Sequence, residues 1–135
     1  MQEPSIFTRI LRGNFFQEII FEDDICFVIL SNVPFSSGHS LIIPKQQISQ
    51  LWELPDDTYR HVMSIAKEMA TRITTAFNYA RIGMAVDGFG VPEHAHFHVF
   101  GYIERGLEPT VICHVARKIV PTAEEFKAAA DKLRS

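Results

Sequence analysis

The chain has 135 residues, of which 47% are hydrophobic and 21% charged, and its formal net charge at pH 7 is −3. This length and composition predict one globular domain with a core of its own. The slight excess of acidic residues argues against a nucleic-acid polymer as partner, since a surface that binds a duplex is basic. A small nucleotide needs only a local pocket and is compatible with this charge.

The sequence predicts a cytoplasmic protein. Residues 1–4 carry no basic segment and lead into no long apolar one, so we expect no signal peptide. No uninterrupted apolar run approaches the ~20 residues of a membrane span, so we expect no membrane partner. Cys26 and Cys113 are far apart and have apolar neighbours, which favours free buried thiols over a disulfide.

The first half of the chain predicts a short helix and three strands. The helix has apolar residues on one side and ends before Gly13. Two β-rich runs flank an acidic turn and predict a hairpin, and Pro44 is expected to end the pairing of the strand that follows. The predicted ranges are 4–11 for the helix, 18–21 and 25–30 for the hairpin strands, 32–38 for a loop, and 40–43 for the third strand.

The second half predicts one long helix, two further strands and a terminal helix. Strands are predicted over 81–86 and 95–102 with a tight turn at 87–90, and Thr122 and Glu125 form a capping-box pattern before the terminal helix. Pro55 begins the long helix, whose apolar stripe comprises Tyr59, Val62, Met63, Ala66, Met69, Ala70, Ile73, Ala76 and Phe77. The whole pattern predicts an α+β fold, with an antiparallel sheet of about five strands, one long helix packed on it, and short helices near both termini.

The most informative segment is residues 94–100, which read His-Ala-His-Phe-His-Val-Phe. Side chains alternate across a strand, so His94, His96 and His98 are expected on one face of a strand and the apolar residues between them on the other. Successive histidines on that face would have Cα atoms about 6.5–7 Å apart, from two strand rises. This spacing suits a phosphate-sized ligand lying across the row.

Three roles for such a row can be distinguished. If the row were purely structural, burial of the three imidazoles would cost desolvation free energy at each ring without serving a function. A zinc site would need a third ligand and often a carboxylate, for which Asp87 and Glu93 are the nearby candidates. A nucleophilic site fits best, because a neutral imidazole attacks phosphorus directly while neighbouring imidazoles donate hydrogen bonds to the phosphate oxygens.

These residues resemble the histidine triad (HIT) family of nucleotide hydrolases and transferases, and residues 94–100 fill every position of its signature. The resemblance extends over residues 5–102. It includes the opening helix, the hairpin at 21–24, the stretch 37–45 that supplies a fourth active-site histidine, and the segment 50–54 before the long helix. It implies a single HIT-like domain, which we assign to 1–135. No family motif covers residues 108–135, which we expect to form a C-terminal extension with a short helix that packs either on its own sheet or across a dimer.

The resemblance also implies roles for individual residues. His96 would be the nucleophile that forms a nucleotidyl-histidine intermediate, and the carbonyl of His94 would hold the other ring nitrogen of His96. His98 and His39 would contact the α-phosphate or the leaving group. The nucleotide-binding residues are expected to be Phe7, Ile20, Ile29, Ser31, His39, Gly90 and His98. The family is usually a homodimer whose two sheets join into one.

The chain departs from the family pattern at several positions. Some members bind a structural zinc, and the matching positions here are Ser5, Thr8 and Gln47, with only His94 kept. We therefore predict neither a metal site nor any other cofactor. Ser31 stands where an acidic residue often contacts the ribose. Glu93, directly before the triad, is read either as a one-residue bulge or as a substitution at a variable position.

The leading hypothesis is a metal-independent nucleotide hydrolase that acts at the α-phosphorus of nucleoside phosphoramidates or related small nucleotides. Dinucleoside polyphosphates are the alternative class of substrate. A nucleotide-binding or sensing module with little turnover is a second class of function, suggested by Ser31 and by the short turn before the triad. A metal-dependent hydrolase that uses the same histidines is a third.

Overall fold

The computed structural model describes residues 2–86, 90–102 and 121–134. Residues 87–89 of the predicted turn and the first part of the C-terminal extension lie outside these ranges, and the domain boundaries stay a prediction. The helices are α1 (Ile6–Leu11), α2 (Asp56–Phe77) and α3 (Ala123–Arg134), and a short 3₁₀ helix spans Leu51–Glu53. The strands are β1 (Ile19–Glu22), β2 (Cys26–Leu30), β3 (Ser40–Pro44), β4 (Arg81–Ala85) and β5 (Phe97–Tyr102).

The five strands form one antiparallel sheet in the order β1-β2-β3-β5-β4. The predicted α+β architecture is therefore confirmed. Alternation along the central strands divides the core into two parts. Val28, Ile42 and Val99 face α2 and α3, while Phe27, Ile29 and Ile43 face α1 on the opposite side. None of the helices within the described ranges has the length and apolar character that crossing a membrane requires.

Helix α2 covers one face of the sheet much as its sequence pattern predicts. Its buried residues are Val62, Ile65, Ala66, Met69 and Ile73. Ile65 was absent from the predicted stripe, and Tyr59, which was included, is 39% exposed because it lies in the first turn, at the margin of the contact. The helix ends at Asn78, which adopts the left-handed conformation of a C-cap.

The terminal helix packs on its own chain. The capping box is present, since the Thr122 amide donates to Glu125 Oε1 at 3.0 Å and the Glu125 amide donates to Thr122 Oγ1 at 3.1 Å. Ala130 and Leu133 are buried in the α2 side of the core. The guanidinium of Arg134 donates to the carbonyl of Ile19 at 3.0 and 3.1 Å, which ties α3 to β1.

One expectation about strand ends holds on one side of the strand only, and another was wrong. Pairing of β3 with β5 stops before Pro44 as expected, but pairing with β2 includes Pro44 opposite Cys26, and the amide of Lys45 still donates to the carbonyl of Ile25 at 2.8 Å. β5 begins at Phe97 rather than at residue 95, since the amide of Ala95 donates instead to the carbonyl of Ile48 at 2.7 Å. Without an N–H, Pro44 offers no donor with which to extend the ladder toward residue 95.

Candidate active site

His94 and His96 lie just before β5, whereas His98 lies within it and His39 immediately precedes β3. The predicted division of faces holds although the strand starts later. Ala95, Phe97 and Val99 pack in the α2 side of the core, and the histidines lie on the side of α1. Phe7 of α1 contacts both His94 and His96, with ring centroids 5.5 and 5.1 Å apart. The His96 and His98 rings are 5.2 Å apart, as are those of His39 and His98.

The hydrogen bond of His96 defines which of its nitrogens carries the hydrogen and which the lone pair. Nδ1 lies 3.0 Å from the carbonyl oxygen of His94, which only accepts hydrogen bonds. In the neutral ring the hydrogen is therefore on Nδ1, and Nε2 keeps its lone pair. His96 is 6% exposed and lines a cavity. Its geometry agrees with the tautomer that the resemblance implies for the nucleophile.

A chain of hydrogen bonds also assigns the hydrogens of His39 and His98. The amide of Phe35 donates to Nδ1 of His39 at 3.1 Å, so the His39 hydrogen is on Nε2. That nitrogen lies 2.9 Å from Nδ1 of His98 and donates to it. In neutral His98 the hydrogen is consequently on Nε2. This order makes His98 a hydrogen-bond donor beside His96, as is needed next to a phosphate oxygen or a departing group.

Burial keeps two of the histidines neutral. The pKa of His39 is lowered to about 3, mainly by burial and then by the nearby His98. Burial also lowers the pKa of His94, whose hydrogen bond to the carbonyl of Pro44 opposes the shift in part. Both rings therefore act at neutral pH as uncharged donors and acceptors rather than as cations.

These shifts predict that acid weakens the fold well above the range where carboxylates titrate. The unfolded chain protonates His39 near pH 6.5, but the folded chain does so only near pH 3, so the free energy of unfolding falls as pH is lowered through this window. The expected slope is up to about 1.4 kcal/mol per pH unit for His39 alone. Urea unfolding between pH 6.5 and 4.5 measures it. His39→Gln should reduce proton uptake on unfolding by about one, and an unchanged pH slope in that variant would contradict the assignment.

A cavity of about 340 Å³ opens between α1, the end of β2 and the histidines. Five of the predicted nucleotide-binding residues line it, namely Phe7, Ile29, Ser31, Gly90 and His98. Ile20 does not, because it packs in the α2 side of the core. His39 also lies outside its lining and borders a second cavity of about 200 Å³, where it meets residues of α3. The sequence reasoning missed Ile10, one helical turn after Phe7, and the exposed Asn32 and Val33 after β2.

Apart from His96 and His98, the lining of this 340 Å³ cavity contains no acidic or basic side chain among the described residues. A phosphate bound there would be stabilised by imidazole and backbone N–H groups rather than by a charged side chain. Ser31 is buried, and its hydroxyl accepts the amide of Val33 at 3.2 Å, which occupies part of its hydrogen-bonding capacity. Glu93 lies in the turn closed by the His94 amide and the Val91 carbonyl, with its side chain exposed. It is therefore neither a strand bulge nor part of the cavity wall.

One group of possible metal ligands occurs within the described residues. Asp23, Cys26 and His61 place ligand atoms within 4.8 Å of one another. The carboxylate of Asp23 already accepts the amides of Ile25 and Cys26, each at 2.8 Å, and lies 2.6 Å from Nε2 of His61. Burial and then the Asp23 carboxylate raise the pKa of the Cys26 thiol to about 12. This group is explained as a hydrogen-bonded link between the hairpin and α2, and the absence of a metal cofactor stays a prediction.

Comparison with known proteins identifies relatives by sequence. The HIT domain model matches residues 12–104. The chain is 31% identical over 109 residues to adenylylsulfatase HINT3 of Arabidopsis thaliana, and the match covers 78% of this chain and 55% of that protein. It is 30% identical over 117 residues to an uncharacterised 16.1 kDa HIT-like protein of Mycoplasma pneumoniae, with 84% of this chain and 79% of that protein covered.

Comparison with solved structures supports the fold. The crystal structure of a HIT-like protein involved in cell-cycle regulation from Bartonella henselae aligns with a TM-score of 0.83 at 24% sequence identity. The alignment covers 99% of this chain and 96% of that one. The domain match spans more than half of the chain, and it includes the three alternating histidines and all five strands of the sheet that positions them. On this evidence the chain belongs to the HIT family.

Proposed function

We propose that this chain is a nucleotide hydrolase that cleaves at the α-phosphorus of nucleoside phosphoramidates or related small nucleotides. The observation that supports it most directly is His96, whose Nδ1 hydrogen is held by the His94 carbonyl and whose Nε2 lone pair is available beside the cavity. The named activity of the Arabidopsis relative, an adenylylsulfatase, adds adenylyl sulfate to the substrates worth testing.

The proposed reaction has two steps. In the first, the lone pair on Nε2 of His96 forms a bond to the α-phosphorus while the bond from phosphorus to the leaving group breaks. Nε2 of His98 donates a hydrogen bond to the leaving nitrogen or oxygen, which takes its proton from water, and His39 donates to Nδ1 of His98 throughout. In the second step, water attacks the same phosphorus, the phosphorus–nitrogen bond to His96 breaks, and the attacking water releases one proton to the solvent.

Two other functions are kept as alternatives. A dinucleoside polyphosphate hydrolase would use the same histidines with a larger leaving group. A nucleotide-binding or sensing module is favoured by Ser31, since its hydroxyl already accepts the Val33 amide and cannot replace the two acceptor oxygens of a carboxylate for the ribose hydroxyls. The homodimer, the cytoplasmic location and the small-nucleotide partner stay predictions. Light scattering of the purified chain tests the first of these.

Release of AMP in the presence of a metal chelator tests the proposal. We expect hydrolysis of adenosine 5′-phosphoramidate or adenylyl sulfate that resists the chelator, and rapid quenching should give protein whose intact mass is increased by one adenylyl group. Diadenosine polyphosphates run in parallel separate the alternative substrate class. Loss of turnover on chelation would favour a metal-dependent hydrolase. Binding of AMP without turnover of any of these compounds would overturn the proposal in favour of the binding module.

A further inference from the structure

Four polar residues form a hydrogen-bonded group just before the start of β5. We call it the Ser5 cluster, and its members are Ser5, Thr8, Gln47 and His94. Ser5 Oγ lies 2.6 Å from Nδ1 of His94, and Thr8 Oγ1 lies 3.5 Å from the same atom. The Thr8 hydroxyl donates to Oε1 of Gln47 at 2.8 Å. Ser5 is 2% exposed and His94 is fully buried. The positions that would carry zinc ligands are therefore joined here by direct hydrogen bonds.

The direction of each bond in the cluster follows from its chemistry. The carbonyl of Pro44 only accepts, so His94 donates to it from Nε2 at 2.7 Å and Nδ1 must accept. The hydroxyl hydrogen of Ser5 fills that acceptor, while Ser5 Oγ accepts the Thr8 amide at 3.1 Å. Gln47 Oε1 accepts from both the Ser5 amide and the Thr8 hydroxyl, and its Nε2 donates to the Glu3 carbonyl.

The cluster matters because the sheet ladder does not hold His94 and His96. β5 begins only at Phe97, and its pairing with β3 ends where Ile42 lies opposite Phe97. The imidazole of His94 is instead fixed at both nitrogens, by β3 through Pro44 and by the start of α1 through Ser5. Its carbonyl, fixed with it, accepts the Nδ1 hydrogen of His96.

We propose that Ser5 is a positioning residue for His96, because its hydroxyl fixes the His94 ring and, through the His94 carbonyl, the tautomer and orientation of the His96 imidazole. The kinetic part of this inference rests on the proposed function. Ser5 is also the N-cap of α1, and Phe7 in the first turn of that helix contacts His96 and lines the cavity. One turn of helix therefore shapes the nucleotide cavity and orients the nucleophile.

Removal of the Ser5 hydroxyl tests the proposal by two readouts. We expect Ser5→Gly to lower kcat about tenfold with little change in KM, since one hydrogen bond that orients the reacting group is lost. Nitrogen-15 NMR of the histidine side chains, recorded without substrate, should show His96 changing from a single Nδ1–H tautomer to a mixture. Ser5→Thr, which keeps the hydroxyl, should restore both the rate and the spectrum.

The choice of variants separates positioning from folding. Glycine is tolerated at an N-cap nearly as well as serine, so Ser5→Gly keeps α1, whereas Ser5→Ala would also weaken the cap. Ser49→Ala is the matched control, because its hydroxyl donates to the Pro92 carbonyl at 2.7 Å in the same region without contacting a histidine. It should leave the kinetics and the His96 spectrum unchanged.

A native rate and a native His96 spectrum in folded Ser5→Gly would overturn the proposal, and so would a lowered melting temperature as the sole effect. Failure of the native chain to hydrolyse any nucleotide would overturn the proposed function but not this inference. In that case the NMR comparison alone decides, because the tautomer of His96 is measured in the free protein. An unchanged spectrum then refutes the positioning role, and a mixed one supports it.

Discussion

Replacing His96 with alanine is expected to lower kcat for nucleotide hydrolysis by a factor of about a thousand or more, because the variant has no group that can form the covalent intermediate. Neighbouring water would have to attack phosphorus directly, without an activated nucleophile. Steady-state hydrolysis and the loss of the adenylyl adduct in quenched mass spectra measure the effect. Affinity for AMP should change far less, since Phe7, Ile29 and His98 still line the cavity.

Two controls make this result specific. His61→Ala removes a histidine that is hydrogen-bonded to Asp23 and lies outside the cavity lining, so the folded variant should hydrolyse nucleotides at the native rate. His96→Gly leaves space for added imidazole, which should restore part of the turnover if the missing group is the nucleophile. Turnover by His96→Ala within a few-fold of the native rate would show that another group attacks phosphorus, and the two-step reaction would then be wrong.

The sequence predicted the fold class, and the face on which the histidines lie, because both follow from periodicity. Because histidine alternates with apolar residues, His96 and His98 face one side of the sheet and Phe97 and Val99 face the other, at whichever residue the strand begins. The start of β5 was not predictable in the same way. It depends on the missing donor of Pro44 and on the bond between Ala95 and Ile48, and the latter pairs residues 47 positions apart in the chain. Such a contact leaves no local pattern.

The cavity beside the histidines illustrates a different limit. Phe7, Ile29 and Ser31 line it together with His96 and His98, whereas Ile20 does not. The pairing of β1 with β2 shifts between Ile19 and Phe21, which stand opposite Ile29 and Val28. Ile20 and Phe21 consequently both pack on the α2 side. A β-bulge of this kind reverses the facing of one residue, and no residue type in the strand marks it.

The sequence predicted the Ser5 cluster only in part. The resemblance identified Ser5, Thr8 and Gln47 as positions without zinc ligands, but the absence of ligands says nothing about what replaces them. Serine, threonine and glutamine are common surface residues, and only the fold brings them against the buried ring of His94. Their hydrogen bonds were therefore outside the reach of sequence reasoning, although the residues themselves were singled out.

The second large effect is expected at Gly38, which directly precedes His39. Gly38 has φ = +85°, and a Cβ built there would lie 2.5 Å from Cε2 of Phe77. The Phe77 ring has little room to move, because it stacks on Tyr79, whose hydroxyl donates to the Ser37 carbonyl at 2.7 Å. Gly38→Ala therefore combines backbone strain with overpacking, and we expect a loss of about 2–4 kcal/mol in the free energy of unfolding.

Gly13 offers a matched control for this variant. Its φ is +79°, but a Cβ there would meet no atom within 4 Å, so Gly13→Ala should lose only the backbone part, about 1–2 kcal/mol. Urea unfolding of both variants gives the contribution of the Phe77 contact by difference. Gly38→Ala should also lower kcat, since a shifted Gly38 displaces His39 from His98, whereas Gly13→Ala should not. Equal losses of stability in the two variants would mean that Phe77 gives way freely. The contact between Gly38 and Phe77 would then not be what holds His39 in place.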